Sequence, residues 1–303
     1  MIDFSIIIPV YNSGNCLQNT VDKIHDTILK LNKTYQLILI DDGSRDNSWD
    51  IIKKIKTEKL NVIGIKLSKN YGQHNALLCG LANSTGNYIV TIDDDLEQDP
   101  EDIVKLYECL TKGNFDLVYG IPTNVKRGFI RNLVTFVYKR VSRIENKSAG
   151  EGSSFRILSA TLKDNLIKHK GALFFLDEIA LWYTDKIDFV KIEFKKSQKN
   201  NSAYGYSSLF DLSLLVLSLS TTMPLRLVRV IGFYIAGFSV LLASYLIFRK
   251  FHSNVQMGYT SLMVAILFST GVITASLGVI GEYVGNLIAL SNNKPSYAIK
   301  EKI

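Results

Sequence analysis

Residues 87–101 read NYIVTIDDDLEQDPE, an apolar run that leads directly into a cluster of carboxylates. Carboxylates that converge without a counter-charge repel one another, so the cluster implies a nearby cation. Hard oxygen ligands suit Mg²⁺ or Mn²⁺, which keep sites for water and for the phosphate oxygens of a substrate. The alternative is a solvated acidic turn before a helix, because residues 99–101 (DPE) are also a favourable helix start. The acids are Asp93, Asp94, Asp95, Glu97 and Asp99.

The same alternation of a short apolar run and a helical pattern recurs before and after this stretch. β-Branched runs that alternate with helices indicate an α/β fold with a mostly parallel sheet covered on both faces. Strands are predicted at residues 4–10, 37–40, 62–67, 88–92 and 115–120, and helices at 15–31, 45–58, 73–83 and 100–112.

Polar clusters follow four of these predicted strands. They comprise Tyr11 and Asn12 after the first strand, residues 41–44 (DDGS) after the second, Lys69 and Asn70 after the third, and the acidic cluster after the fourth. Ligands of such sheets bind at the carboxyl ends of the strands. The clusters therefore predict one shared binding site.

Composition describes a folded, basic chain. Of its 303 residues, 47% are hydrophobic and 21% are charged, which is enough to bury a sizeable core. The net charge of +7 suits a membrane surface or a polyanionic ligand and does not specify nucleic acid. Cys16, Cys79 and Cys109 stand in separate segments without metal-ligand spacing, so neither a disulfide framework nor a zinc site is expected.

Two apolar runs near the C terminus predict a membrane hairpin. Residues 228–248 and 262–281 contain no acid, and each run has about the 20 residues that a bilayer span requires. Buried core helices are the alternative. Basic residues outside the hairpin outnumber those in the linker, which places both ends in the cytoplasm, in keeping with an N terminus that enters a strand without a leader. Residues 209–223 are more polar and predict an interfacial helix.

These patterns predict a multi-pass protein of the cytoplasmic membrane in four parts. They are a cytoplasmic α/β domain at 1–208, an interfacial amphipathic helix at 209–227, two transmembrane helices at 228–288 and a cytoplasmic tail at 289–303. The transmembrane helices also offer a surface through which a homo-oligomer could form.

Seven motifs together resemble the family 2 glycosyltransferases of GT-A fold, in particular the transferases that use undecaprenyl or dolichol phosphate. An Asp-x-Asp motif alone is common, and the ordered set with a C-terminal hairpin is specific. The motifs are residues 9–12 (PVYN), 41–44 (DDGS), 67–73 (LSKNYGQ), 93–96 (DDDL), 154–156 (SFR), 224–227 (PLRL) and 277–283 (LGVIGEY).

The resemblance implies a nucleotide-sugar donor and a divalent metal, Mg²⁺ or Mn²⁺. Asp95 is implied as the principal metal ligand, with Glu97 as an added one. The residues implied to bind the donor are Pro9, Tyr11, Asn12, Asp41, Asp42, Lys69, Asp93 and Asp94.

The sequence departs from the family pattern at four positions, one of which is Ser154, where the family often has an acid before Phe-Arg. The family usually has Ala at the middle of the acidic triplet, where Asp94 stands, and Gln at the position of Glu97. Its usual Glu after Tyr-Asn is replaced by Ser13. The last change leaves one donor contact open.

The acceptor side is expected to depend on arginines. A lipid monophosphate is mostly dianionic at neutral pH, so a general base is dispensable. Guanidinium groups bind phosphate bidentately, which makes Arg127, Arg131 and Arg156 candidates beside Asp95 for catalysis. Arg127 and Arg131 lie four apart on the polar face of a predicted basic helix at 126–143. The alternatives are a solvated cationic face for this helix and a core-edge ion pair for Arg156.

The predicted activity is inverting transfer of one sugar, from a donor such as UDP-glucose, to undecaprenyl phosphate at the cytoplasmic face of the membrane. A transferase that extends a lipid-linked sugar or a polysaccharide is the nearest rival. A non-catalytic membrane scaffold of the same fold is a rival from another class.

Overall fold

The computed structural model describes residues 2–14, 16–123, 153–168, 176–195 and 295–303, with scattered helical positions between 234 and 285. The chain divides into two compact units, one comprising Met1–Gly205 with Lys294–Ile303 and the other Tyr206–Asn293. The predicted basic helix and interfacial helix lie outside the described residues, as do most positions of the two predicted spans.

Each of the five predicted strands is present, with ends that differ by at most a few residues. The strands are β1 Phe4–Val10, β2 Tyr35–Asp41, β3 Val62–Leu67, β4 Tyr88–Thr91, β5 Leu117–Pro122, β6 Arg156–Ser159, β7 Ile187–Ile192 and β8 Ile299–Lys302. The helices are α1 Leu17–Lys30, α2 Ser48–Glu58, α3 Gln73–Ala82, α4 Ile103–Gly113, α5 Ala160–Lys168 and α6 Leu176–Ala180.

The strands form one sheet in the order β7-β5-β6-β4-β1-β2-β3-β8. β1 pairs in parallel with β2 and β4, β2 with β3, and β5 with β7. β6 is antiparallel to both of its neighbours, and β8 is antiparallel to β3. The mostly parallel α/β architecture is therefore confirmed.

Side chains of β1 alternate between two cores, as the period of a strand requires. Ile6 and Ile8 join the core that contains α1, α2 and α4, whereas Ile7 joins the core that contains α3, α5 and α6. All three isoleucines are fully buried. Burial on both faces explains why this strand reads as a continuous apolar run.

The C-terminal residues, predicted as a tail, instead end in a sheet strand. β8 lies along the outer edge of β3, and the backbones of Gly64 and Ile303 exchange hydrogen bonds of 3.1 and 2.9 Å. Its sequence, IKEK, is short and charged, so periodicity gives no strand signal there. The strand therefore forms through its backbone hydrogen bonds to β3 and not through a local sequence preference.

Candidate active site

The carboxyl ends of β1, β2, β3 and β4 share one edge of the sheet, because these strands are adjacent and parallel. The four polar clusters predicted from the sequence follow these ends. Hydrogen bonds join the loops after β1 and β2: Asn12 N donates to Ser44 Oγ (3.0 Å), and Arg45 N donates to Asn12 Oδ1 (2.9 Å). These two loops therefore lie side by side.

Asp41 ends β2 as a fully buried carboxylate. Its Oδ1 accepts a hydrogen bond from Ser44 N (3.0 Å). Its Oδ2 has no hydrogen-bond partner among the described residues, and Lys66 Nζ lies 3.8 Å from it. A buried carboxylate oxygen without a donor is costly, so this atom is an acceptor suited to an N–H or O–H group of a ligand.

Asp42 is hydrogen-bonded to the loop that follows β3. Its two oxygens accept hydrogen bonds from Tyr71 N (2.7 Å) and Gly72 N (2.9 Å). Burial raises the pKa of Asp42 to about 6. Gly43 makes this approach possible, because it has a φ of +72° and an added Cβ would lie 2.6 Å from Asn70 N.

The remaining predicted donor residues line the same loops. Pro9 is within β1, opposite Ile40 of β2, and Tyr11 is half-buried immediately beyond the strand. Lys69 is exposed after β3, with its ammonium 5.2 Å from the centre of the Tyr71 ring. Their assignment to the donor stays a prediction.

Asp93 is held by side chains from three segments. Its Oδ1 accepts from Gln73 Nε2 (2.8 Å), and its Oδ2 accepts from Gln98 Nε2 (2.9 Å) and Ser154 Oγ (2.5 Å). Burial raises the pKa of Asp93, against the opposing effect of these hydrogen bonds. Asp93 therefore joins α3, the acidic turn and the segment that leads into β6.

Asp94 points to the loop after β1. Its Oδ2 accepts hydrogen bonds from Tyr11 N (3.3 Å) and from the hydroxyl of Ser13. Asp94 is 5% exposed and Ser13 is 2% exposed. The residues at two of the departures from the family pattern thus contact each other, and Asp94 places a carboxylate beside the position where the family usually has Glu.

Asp95 and Glu97 are the half-buried acids of the turn. Asp95 Oδ1 accepts a hydrogen bond from Glu97 N (3.0 Å). Between them Leu96 has a φ of +58°, a conformation that costs a non-glycine residue about 1–2 kcal/mol. The Leu96 side chain is only 4% exposed, and such burial contributes about 1.5–3 kcal/mol, enough to offset that cost.

The donor set around Asp95 fits an ion that takes few protein ligands. No group of three or more acids, histidines or cysteines gathers as a metal site within the described residues. Mg²⁺ and Mn²⁺ accept one or two carboxylates and complete their coordination with water and substrate phosphate oxygens. Beyond the turn, Asp99 accepts from Glu101 N (3.2 Å), so the helix start predicted there is also present.

Arg156 is buried rather than displayed at the surface. It is 2% exposed, its Nε donates to Thr91 Oγ1 (3.1 Å), and its Nη1 pairs with Asp177. Its guanidinium carbon lies 5.7 Å from the centre of the Tyr119 ring. The ion pair that the sequence left open as an alternative is thus present, while a role toward the acceptor stays a prediction. Arg127 and Arg131 lie outside the described residues.

Asp177 is a residue at this site that is not among the predicted site residues. It begins the first turn of α6, and its side chain is 32% exposed, so it joins buried Arg156 to the surface. Burial also lowers the pKa of nearby His74, with Asp177 acting in the opposite direction. Asp177 was visible in the sequence as an acid, but its partner Arg156 lies on β6, more than 20 residues earlier in the chain.

The glycosyl transferase family 2 model matches residues 5–162, more than half of the chain. The chain belongs to glycosyl transferase family 2. A second family model, the GtrB C-terminal hairpin, matches residues 223–287 of this glycosyltransferase. None of the helices in the described part of the chain is long and apolar enough to cross a bilayer.

A curated relative of this glycosyltransferase covers nearly the whole chain. It is undecaprenyl-phosphate 4-deoxy-4-formamido-L-arabinose transferase from Shewanella sediminis, which is 30% identical over 99% of this chain and 92% of the relative. The match includes both the sheet-bearing unit and the hairpin.

Solved structures with the same fold include glucosyl-3-phosphoglycerate synthase from Mycobacterium tuberculosis. Its complex with Mn²⁺, UDP-glucose and phosphoglyceric acid matches with a TM-score of 0.54 and 20% identity, over 72% of this chain and 78% of that one. Its complex with UDP matches with a TM-score of 0.53 and 22% identity over the same shares. At this identity the likeness establishes the GT-A fold of the glycosyltransferase domain.

Proposed function

We propose that this glycosyltransferase moves one sugar from a nucleotide donor to undecaprenyl phosphate, with inversion at the anomeric carbon. The observation that carries the proposal is the match to an undecaprenyl-phosphate sugar transferase over 99% of the chain, which includes the hairpin. A soluble acceptor would not require a matched membrane segment. The relative transfers 4-deoxy-4-formamido-L-arabinose, so that sugar and glucose are the first two donors to compare.

The donor's base is recognised by Asp41. Its buried Oδ2 lacks a hydrogen-bond donor, and the imide N–H of uracil would supply one. Cytosine presents an acceptor at the corresponding ring position and would leave two acceptors face to face. This supports a UDP-linked sugar, the class of donor found in the synthase of the same fold.

Asp95 would hold the metal, and Glu97 would be a further oxygen ligand. A bound Mg²⁺ or Mn²⁺ neutralises the charge that develops on the departing nucleoside diphosphate. The residues of this chain position that diphosphate: Asp93 and Asp94 fix the acidic turn, and Asp42 fixes the facing loop. The Mn²⁺ in the synthase complex supports this use of the fold.

The acceptor arrives as a deprotonated phosphate, so the chain needs to orient it and not to remove a proton. Arg127 and Arg131 orient this phosphate in line with the anomeric carbon. Arg156 is paired with Asp177 and supports the site from its buried side. Attack on the face opposite the diphosphate gives inversion in a single displacement.

Membrane attachment follows from the hairpin and from the course of the chain. The chain leaves the sheet-bearing unit at Gly205 and rejoins it at Lys294. Because both ends of the intervening segment join one folded unit, any bilayer crossings between them are even in number. Two spans within 228–288, after an interfacial helix at 209–227, satisfy this condition and leave both ends on one side of the membrane. The excess of basic residues outside the hairpin supports the cytoplasm as that side.

The test is release of nucleoside diphosphate by the purified full-length protein in detergent. UDP-linked sugars are offered with a short polyprenyl phosphate or with the corresponding polyprenyl alcohol, and Asp95→Asn is the matched control. We expect metal-dependent UDP release with the phosphate only. Release that needs a lipid-linked sugar instead would favour the extending transferase, and no release with any donor would favour the scaffold.

A further inference from the structure

The C-terminal strand begins beside the donor edge of the sheet. Since β8 runs antiparallel to β3, its N-terminal end lies next to the carboxyl end of β3. The carbonyl of Ala298 accepts a hydrogen bond from Ser68 N (2.9 Å), one residue before Lys69. Half-buried Tyr297 packs in the same core as Tyr71. The chain therefore returns from the hairpin segment directly to the loop after β3.

A second connection runs through side chains from β8 to Asp41. Glu301 Oε2 accepts a hydrogen bond from Trp49 Nε1 (3.1 Å), and Trp49 is only 5% exposed. The ammonium of Lys66 lies 5.5 Å from the centre of the Trp49 ring and 3.8 Å from Asp41 Oδ2. Lys66 is thus held between an aromatic face and the buried carboxylate.

We propose that Glu301 is a positioning residue for the nucleotide donor, acting through Trp49 and Lys66 on Asp41. The inference rests on the proposed function, because it takes Asp41 as the acceptor for the nucleobase. Glu301 fixes the orientation of the Trp49 ring through its N–H. The ring face then holds the Lys66 ammonium at a distance from Asp41 that leaves Oδ2 available to a ligand.

Loss of this restraint changes the competition for Asp41. An indole without its acceptor is free to tilt, and the Lys66 ammonium loses the face on which it rests. Lys66 then moves toward the carboxylate and competes with the nucleobase. The effect is on donor affinity, since the contacts of Glu301, Trp49 and Lys66 lead to Asp41.

Three replacements at Glu301 and its strand separate this role from simple support of β8. Glu301→Ala removes the acceptor of Trp49 and should weaken UDP binding about tenfold, the effect expected when the base loses its hydrogen bond to the charged Asp41 carboxylate. Glu301→Gln keeps an oxygen for Trp49 and loses only the 3.6 Å pair with Lys53, which is exposed and worth little. It should bind UDP within about twofold of the wild type. Lys300→Ala removes a charge from an exposed position of the same strand and is the matched control.

The experiment is calorimetric titration of the full-length protein with UDP and Mn²⁺, with thermal unfolding of each variant and steady-state kinetics for both substrates. The inference predicts a raised Kd for UDP and a raised donor KM in Glu301→Ala, rescue in Glu301→Gln, and an unchanged acceptor KM. A Glu301→Ala protein that unfolds like the wild type and binds UDP equally well overturns the inference. If the wild type itself binds no UDP, the proposed function fails instead.

Discussion

Moving the buried carboxylate from Asp94 to position 13 tests how the acidic turn is joined to β1. Asp94 accepts hydrogen bonds from Tyr11 N and from the Ser13 hydroxyl, and the side chains of Asp94 and Ser13 are both buried. Asp94→Ala removes the acceptor of Tyr11 N and leaves the Ser13 hydroxyl with the Tyr11 carbonyl (3.1 Å) in place of a carboxylate. Ser13→Glu combined with Asp94→Ala restores a carboxylate from the opposite side and keeps the number of side-chain heavy atoms unchanged.

The expected cost follows from the number of hydrogen bonds that are lost. Each hydrogen bond to a charged group contributes about 1.5–3 kcal/mol, so two give an upper range of roughly 3–6 kcal/mol. Removing a buried charge also relieves its desolvation, which lowers the net cost to about 2–3 kcal/mol. For a unit of this size that corresponds to a fall of about 4–12 °C in the melting temperature.

Thermal unfolding of the full-length protein in detergent, followed by intrinsic fluorescence, measures the effect. Asp94→Ala should lower the apparent Tm by that amount, and the double variant should recover at least half of the loss. Ser13→Glu alone should be destabilised, because it places two carboxylates together. A double variant no more stable than Asp94→Ala would refute the idea that a carboxylate at position 13 can replace that of Asp94.

Three further predictions concern the metal, the β3 loop and the acceptor. Asp95→Ala should abolish turnover, whereas Glu97→Gln should lower the rate less and change the preference between Mg²⁺ and Mn²⁺. Steady-state rates measured with each metal test both expectations. An unchanged metal preference in Glu97→Gln would exclude Glu97 as a ligand. Because the pKa of Asp42 is raised to about 6, its contribution to stability is full below the ordinary value of 3.8 and is lost as pH rises through about 6. The melting temperature of the wild type, measured relative to that of Asp42→Asn, should therefore fall as pH rises from 3.8 to about 6, and a difference that does not change with pH would contradict the raised pKa. Arg131→Lys should raise the KM for polyprenyl phosphate and leave the donor KM unchanged, because a point charge loses the bidentate contact; a change confined to the donor KM would move Arg131 out of the acceptor site.

Periodicity was sufficient for the five predicted strands, β1 to β5, and insufficient for the antiparallel strands β6 and β8. β1 and β3 are buried on both faces, so each reads as an apolar run bounded by turn residues. β6 is only four residues long and begins with the charged Arg156, whose burial depends on Thr91 and Asp177. β8 exists because the edge of β3 was open to pairing. Neither strand has a local pattern that could have revealed it.

The site shows a similar division. Sequence spacing located the acidic cluster at the end of a strand, but spacing alone could not say which carboxylate faces which neighbour. Asp93 turns to Gln73 and Ser154, whereas Asp94 turns to Ser13. These directions depend on side chains from distant segments. The connection from Glu301 to Trp49 spans most of the chain and required the fold to become visible.

The lipid product tests the central claim most directly. Purified full-length protein is incubated with a UDP-linked sugar, Mn²⁺ and a short polyprenyl phosphate, and both the lipid and the nucleotide products are identified by mass spectrometry. The account predicts a polyprenyl monophosphate that carries one sugar, formed in equal amount with UDP. Release of UMP with a polyprenyl diphosphate sugar, or addition of sugar only to a lipid that already carries one, would contradict it.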